Sequence, residues 1–212
     1  MLEQSPEEKL NKSRLAAERT VANTDRGVAK YKELLGLNLK DMKGKLVLDI
    51  GSGKAETFSK QAAQLGIKVV SMNPTFKSGV KGNDFFDLEG LLKNWQQRSL
   101  AGRAQELPFP DNSFDYELAL YSAPYYLPVT FEEYDKHKIS KEEYRKVILE
   151  TLRTLKSGGK AHFFPIFQHQ YDVSREIMEK LLDICIYELV RVDVPILPLE
   201  EEGAYRLVLT KK

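Results

Sequence analysis

A short apolar strand, a glycine-containing turn and a helix follow one another without a gap at residues 46–65, and a second apolar strand comes next. The first strand is predicted over Leu46–Ile50, the turn carries Gly51 and Gly53, and the second strand is predicted over Lys68–Met72. A strand–helix–strand unit of this length joins two parallel strands. The chain is therefore restricted to folds in which helices cover a parallel sheet, and such sheets bind ligands at the carboxyl ends of their strands.

The rest of the sequence continues the alternation of strands and helices. Helical spacing of apolar residues recurs over 5–36, 84–97, 141–156 and 174–185, and further strands are predicted over 114–121, 160–164, 187–194 and 204–210. A Pro- and Glu-rich connection at 195–203 favours antiparallel pairing of the last two strands at a sheet edge. We therefore expect an α/β fold with a mainly parallel sheet, an antiparallel C-terminal edge strand and helices on both faces.

The length of 212 residues suits one principal domain. Residues 1–44 are predicted to form an N-terminal helical extension, because their apolar positions make only a thin stripe. This extension is either a plain peripheral addition or a lid over a site. Residues 45–212 are predicted to form the main domain.

Composition excludes several classes of protein. Lys and Arg total 32 against 31 Asp and Glu, so a general nucleic-acid-binding protein is not expected. One cysteine and three histidines are too few for a disulfide framework or a Cys/His zinc site, and no metal is expected. The first residues lack the apolar core of a signal peptide and no window is long and apolar enough to cross a bilayer, so we expect a cytoplasmic protein without membrane association.

The turn at 51–53 is the strongest indication of a ligand. Glycine permits positive φ and leaves the main chain open to a bound molecule, although a tight turn with no ligand would need the same residues. Glu56 stands where a dinucleotide fingerprint has its third glycine, and no phosphate-loop motif is present. Nicotinamide and flavin dinucleotides are therefore disfavoured.

Three segments in this order resemble the class I S-adenosylmethionine (SAM)-dependent methyltransferases, in particular their small-molecule branch typified by quinone-biosynthesis enzymes. They are VLDIGSGKA at 47–55, AQELPFPDNSFD at 104–115 and LRTLKSGGK at 152–160. The resemblance covers roughly residues 45–165. It implies a Rossmann-like fold, SAM as cofactor, and methyl transfer to a small-molecule acceptor.

The resemblance also implies which residues bind the cofactor. They are Asp49, Gly51, Ser52, Gly53, Asn73, Ala104, Gln105 and Tyr121. Asp49 would hold the loop, attract the ammonium group of SAM, or serve only as a buried cap of backbone N–H groups. Asn73 stands where similar enzymes have an acidic residue for the ribose hydroxyls, and Arg103 where many have an acidic residue near the adenine, so Arg103 would either stack on the adenine or lie in solvent.

Two residues are candidates for catalysis. Tyr125 follows the strand predicted over 114–121, and His169 follows the strand predicted over 160–164, so both are expected near the transferred methyl group. For His169 the alternative is a surface histidine without function. The two missing acidic residues leave an alternative open, a methyltransferase-fold binding or scaffold protein without turnover. Methyl transfer to RNA or protein is a further alternative.

Overall fold

The structure, a computed structural model, describes residues 26–53, 55–73, 99–124, 141–193 and 204–212. The strands are β1 (Leu46–Ile50), β2 (Lys68–Met72), β3 (Ser99–Leu100), β4 (Phe114–Leu120), β5 (Leu155–Phe167), β6 (Cys185–Val192) and β7 (Ala204–Lys211). The helices are α1 (Val28–Leu35), α2 (Thr57–Gln64), α3 (Lys141–Thr154) and α4 (Gln168–Glu179).

The strands form one sheet in the order β3-β2-β1-β4-β5-β7-β6. The pairs from β3 through β5 are parallel, and β7 is antiparallel to both β5 and β6. The expected α/β fold with a mainly parallel sheet is confirmed. The antiparallel strand lies one position inside the edge, because β7 is inserted between β5 and β6.

Helices cover both faces of the sheet, so β1 and β2 are apolar on both sides. On one face α3 and α4 pack over residues such as Leu48, Val70 and Phe163. On the other face α1 and α2 pack over Val47, Val69 and their neighbours. A central strand buried on both faces has a continuous apolar run, and this explains the sequences of β1 and β2.

The described part of the predicted N-terminal extension is an integral layer of this second face. Tyr31, Leu34 and Leu35 of α1 are buried. His162 on β5 donates its Nδ1 hydrogen to the carbonyl oxygen of Leu35 at 2.8 Å, and burial lowers the pKa of His162 to about 4. The last turn of α1 is thus anchored to the centre of the sheet through a neutral histidine.

The predicted elements agree with the structure at β1 and β2, and one helix is displaced. The helix expected at 174–185 is wrong in position, because α4 spans Gln168–Glu179. The Gln170 side chain accepts the backbone N–H of Phe167 at 3.1 Å, which starts the helix directly after β5. The helix expected over 84–97 and the part of the helical prediction for 5–36 that precedes residue 26 lie outside the described residues.

In the part of the chain that the structure describes, no helix is long and apolar enough to span a membrane.

Candidate active site

The carboxyl ends of β1, β2 and β4 meet at one edge of the sheet. Asp49 lies beside Ser71 on β2 and beside Leu118 on β4. The backbone N–H groups of Gly51 and Ser52 both donate to the carbonyl oxygen of Met72, at 2.7 and 3.2 Å. The turn after β1 is therefore tied to the end of β2, and its shape is set before any ligand binds.

Gly51 is required by a neighbouring loop of the protein. Its φ is +78°, and a Cβ at this position would lie 2.3 Å from the Cβ of Ser122, far inside van der Waals contact. The Ser122 hydroxyl donates to the carbonyl oxygen of Ile50 at 2.5 Å. The contact with Ser122 alone therefore requires a residue without a side chain at position 51, and the role of Gly51 in binding a ligand stays a prediction. Gly53 has a φ of +71°, a conformation that favours glycine.

Asp49 is a fully buried carboxylate at the end of β1. Tyr31 of α1 donates its hydroxyl hydrogen to Asp49 Oδ1 at 2.8 Å, and Asp49 Oδ2 has no hydrogen-bond partner among the described residues. The Tyr31 ring is stacked on Phe58 of α2, with ring centroids 4.0 Å apart. Burial raises the pKa of Asp49 to about 7; the bond from Tyr31 counteracts part of this rise, and the charge of Glu56 adds to it.

Asn73 follows β2 directly and is almost completely buried. Its exposed fraction is 6%, and its backbone N–H donates to the carbonyl oxygen of Leu100 at 3.1 Å. Next to this strand end, the hydroxyl of Ser99 on β3 donates to Glu56 Oε1. The amide residue Asn73 therefore follows β2, and the carboxylate of Glu56 contacts β3 beside it.

The loop after β3 is held from the opposite side by α3. Arg153 donates from Nη1 to the carbonyl oxygen of Phe109 at 2.7 Å and from Nη2 to that of Leu107 at 2.9 Å. Glu150 accepts the backbone N–H of Leu107 at 2.8 Å and is itself bound by Arg153. These bonds fix the loop residues that precede β4.

Ala104 and Gln105 lie in the loop stabilised by these contacts. Ala104 is buried and Gln105 is half-buried. The pKa of Glu143 on α3 is lowered chiefly by a hydrogen bond from Lys146, and to a smaller extent by one from the side chain of Gln105. Arg103 is exposed, which agrees with the alternative that its charge lies in solvent.

Tyr121 begins the loop after β4 in a left-handed backbone conformation, with a φ of +52°. The guanidinium of Arg26 lies over its ring, 4.0 Å from the centroid, and the ring meets Phe164 edge to face at 5.7 Å. A cation–π contact thus brings a positive charge from the segment before α1 to the end of β4.

A family comparison identifies the chain. Residues 48–163 match the methyltransferase domain family, and this stretch contains β1, the glycine turn and most of β5.

The chain belongs to the methyltransferase domain family.

The resemblance to class I SAM-dependent methyltransferases is thereby confirmed, and SAM is the cofactor. A curated relative is the demethylmenaquinone methyltransferase of Geobacillus kaustophilus (strain HTA426), which is 30% identical over 152 residues. The alignment covers 66% of this chain and spans 59% of the length of that relative.

Solved structures with similar folds also carry methyltransferase names. One is a TehB-like SAM-dependent methyltransferase from Corynebacterium glutamicum ATCC 13032 Kitasato, 14% identical, with a TM-score of 0.49 and coverage of 98% of this chain and 100% of that one. Another is the 1,6-didemethyltoxoflavin-N1-methyltransferase of Burkholderia thailandensis with bound 1,6-didemethyltoxoflavin and S-adenosylhomocysteine. It is 14% identical, with a TM-score of 0.47 and coverage of 100% of this chain and 91% of that one.

The two predicted catalytic residues of this methyltransferase-family chain stay predictions. Tyr125 lies outside the described residues. The backbone of His169 belongs to α4, immediately after β5, and the position of its side chain is outside the described part.

Sequence reasoning missed three residues at this edge of the sheet. In the sequence Tyr31 is one of the apolar positions of the thin stripe in the N-terminal extension, no motif contains Arg26, and Glu56 only argues against a dinucleotide fingerprint. Arg26 and Tyr31 reach the site from a segment remote in sequence from the glycine turn, so no local pattern could have indicated their contacts.

Proposed function

We propose that this chain binds SAM at the carboxyl ends of β1, β2 and β4 and transfers its methyl group to a small-molecule acceptor. The observation that carries the proposal is the buried carboxylate of Asp49, whose Oδ2 lacks a partner among the described residues. A buried unpaired carboxylate oxygen is costly, and a cationic ligand would satisfy it. The ammonium group of SAM is such a cation, so the residues present fit the cofactor.

The remaining parts of the cofactor would be held by the neighbouring strand ends. The glycine turn at 51–53, including Ser52, would lie along the amino-acid and ribose parts, and its bonds to Met72 keep it in one shape. Asn73 would offer its amide to the ribose. Ala104 and Gln105 would border the adenine, and Tyr121 would face the methionine end together with Arg26.

SAM supplies an activated methyl group on a sulfonium, and this group carries the driving force of the transfer. The protein's task is to align the acceptor with that group and to exclude water. An acceptor that is an alcohol, phenol or protonated amine must also lose a proton, for which Tyr125 and His169 are the candidate bases.

A small-molecule acceptor is supported by the name of the curated relative, demethylmenaquinone methyltransferase. The formal net charge of +1 gives no general excess of positive charge for RNA. Demethylmenaquinone is therefore the first acceptor to assay, with labelled methyl transfer from SAM as the readout.

The binding proposal is tested with S-adenosylhomocysteine and the variant Asp49→Asn. Asparagine keeps an oxygen that accepts the Tyr31 hydrogen bond but removes the charge, so we expect the Kd measured by calorimetry to rise about tenfold. Near pH 8 the unliganded variant should melt no lower than the wild type, because the raised pKa of Asp49 shows that folding disfavours its ionised form. Asp172→Asn, at an exposed site on α4, is the matched control.

Ligand-dependent melting separates the enzyme from a scaffold that has lost the cofactor. S-adenosylhomocysteine at about 100 times its Kd stabilises a binding-competent fold by about 2.7 kcal/mol, a melting shift on the order of 5–10 °C for this size. A wild-type protein whose melting temperature does not respond to saturating S-adenosylhomocysteine would contradict the proposal.

A further inference from the structure

Glu56 has an unusual backbone conformation for its residue type. It directly precedes α2 with φ 51° and ψ 36°, in the left-handed region. Residues other than glycine are uncommon there and are concentrated at functional sites. Among the described residues of the turn between β1 and α2, Glu56 is the only one other than glycine with a positive φ.

The carboxylate of Glu56 lies across the turn, at the neighbouring strand ends. Its Oε1 accepts the hydroxyl hydrogen of Ser99. Ser99 pairs with Ser71, and the next residue of β3, Leu100, pairs with Met72 at the end of β2. Glu56 thus places a negative charge at the strand ends where Asn73 lies.

The same carboxylate also acts on the end of β1. Its charge contributes to raising the pKa of Asp49, which places it within electrostatic range of the buried carboxylate. Among the described residues Glu56 Oε2 makes no hydrogen bond, and the side chain is only half-buried, so this oxygen has room to accept one.

We propose that Glu56 supplies the carboxylate that binds the ribose hydroxyls of SAM, a role that the uncharged Asn73 fills only in part. A ribose presents two neighbouring O–H donors. A carboxylate has two acceptor oxygens and forms charge-assisted bonds, whereas an amide has one acceptor oxygen and no charge. In nucleotide-binding α/β folds the residue on the ribose is acidic for this reason. The inference rests on the proposed SAM binding.

The first test compares two ligands on wild type and Glu56→Gln. The ligands are S-adenosylhomocysteine and its 2′,3′-dideoxy analogue, which lacks both ribose hydroxyls. We expect Glu56→Gln to raise the Kd of S-adenosylhomocysteine about tenfold and to leave that of the analogue unchanged. An equal loss for both ligands, or no loss for either, would overturn the inference. Glu188→Gln, exposed on the edge strand β6, is the matched control.

The second test moves the carboxylate to the other strand end. Asn73→Asp in the Glu56→Gln background should recover most of the lost affinity. Asn73→Asp alone should tighten S-adenosylhomocysteine by less than about twofold, because the wild type already has a carboxylate there and a second one repels it. If the single variant binds about tenfold tighter, the wild-type ribose site lacks a carboxylate and the inference is overturned, a result independent of how Glu56→Gln folds.

The two proposals fail in different ways. A wild-type protein that binds no S-adenosylhomocysteine refutes the proposed function. If the wild type binds S-adenosylhomocysteine but no more tightly than Glu56→Gln, only the role of Glu56 is refuted.

Discussion

A carboxylic acid buried in the middle of the sheet makes the stability of this protein depend on pH. Glu117 on β4 is 1% exposed and lies between Leu48 of β1 and Ala161 of β5. Its Oε1 accepts a hydrogen bond from Thr154 of α3, and its Oε2 has no partner among the described residues. Burial raises the pKa of Glu117 from 4.5 to about 8, and the hydrogen bond from Thr154 offsets only part of the rise.

The direction and size of the effect follow from this shift. The folded state prefers the protonated acid, so the contribution of Glu117 to stability is fully present below the unfolded pKa of 4.5 and is lost as pH rises towards about 8. Each unit of pKa difference corresponds to about 1.4 kcal/mol. Between about pH 5.5 and about pH 8.5 the loss is therefore about 3 kcal/mol.

Glu117→Gln should abolish this loss. Glutamine matches the protonated acid in shape, so near pH 5.5 the variant and the wild type should have similar stability. Between about pH 5.5 and about pH 8.5 the stability of the variant relative to the wild type should rise by about 3 kcal/mol. Urea unfolding at both pH values measures the difference, with Glu179→Gln on the exposed end of α4 as the control. A stability difference between variant and wild type that stays constant within about 1 kcal/mol over this range would refute a buried, proton-binding Glu117.

Three further outcomes follow from other contacts. Gly51→Ala should lower the free energy of unfolding by about 2–4 kcal/mol, because residue 51 has a positive φ and the added Cβ would meet Ser122. In a Ser122→Gly background only the backbone strain remains, so the loss should fall to about 1–2 kcal/mol. Equal losses in both backgrounds would contradict the steric argument. His162→Asn keeps a donor for the Leu35 carbonyl but cannot titrate. Because the folded pKa of His162 is about 4, the wild type should lose about 2.5 kcal/mol more stability than the variant between about pH 7 and about pH 4.5, and parallel stability curves would exclude this. In Arg153→Lys the single ammonium group cannot reach the carbonyl oxygens of both Leu107 and Phe109. The variant should therefore be less stable by about 1–3 kcal/mol, measured by chemical unfolding, and should bind S-adenosylhomocysteine more weakly, measured by calorimetry. Unchanged values would show that the loop does not depend on this side chain.

Much of the fold could be predicted because its signals are local. The apolar runs of β1 and β2 reflect burial on both faces of the sheet, and the periodicity of α3 reflects burial of one side of the helix. The three segments that resemble the methyltransferases indicate the fold in which these elements are arranged. The displaced helix α4 shows the limit of that approach. Its first turn, with Gln168 and Gln170, has no apolar periodicity, and the bond from Phe167 to the Gln170 side chain that starts it becomes visible only in three dimensions.

In the candidate site, too, some features follow from the local sequence and others only from the tertiary contacts. The sequence alone determined that a glycine turn follows β1 and that an acid, Asp49, ends that strand, because both properties belong to a few adjacent residues. Only the tertiary structure decided that Tyr31 holds one oxygen of Asp49, that Ser122 lies against Gly51, and that Glu56 reaches Ser99. These contacts join residues from different helices, strands and loops. The packing of the layers and the register of the sheet decide which of them meet, and neither is encoded in any short stretch of the chain.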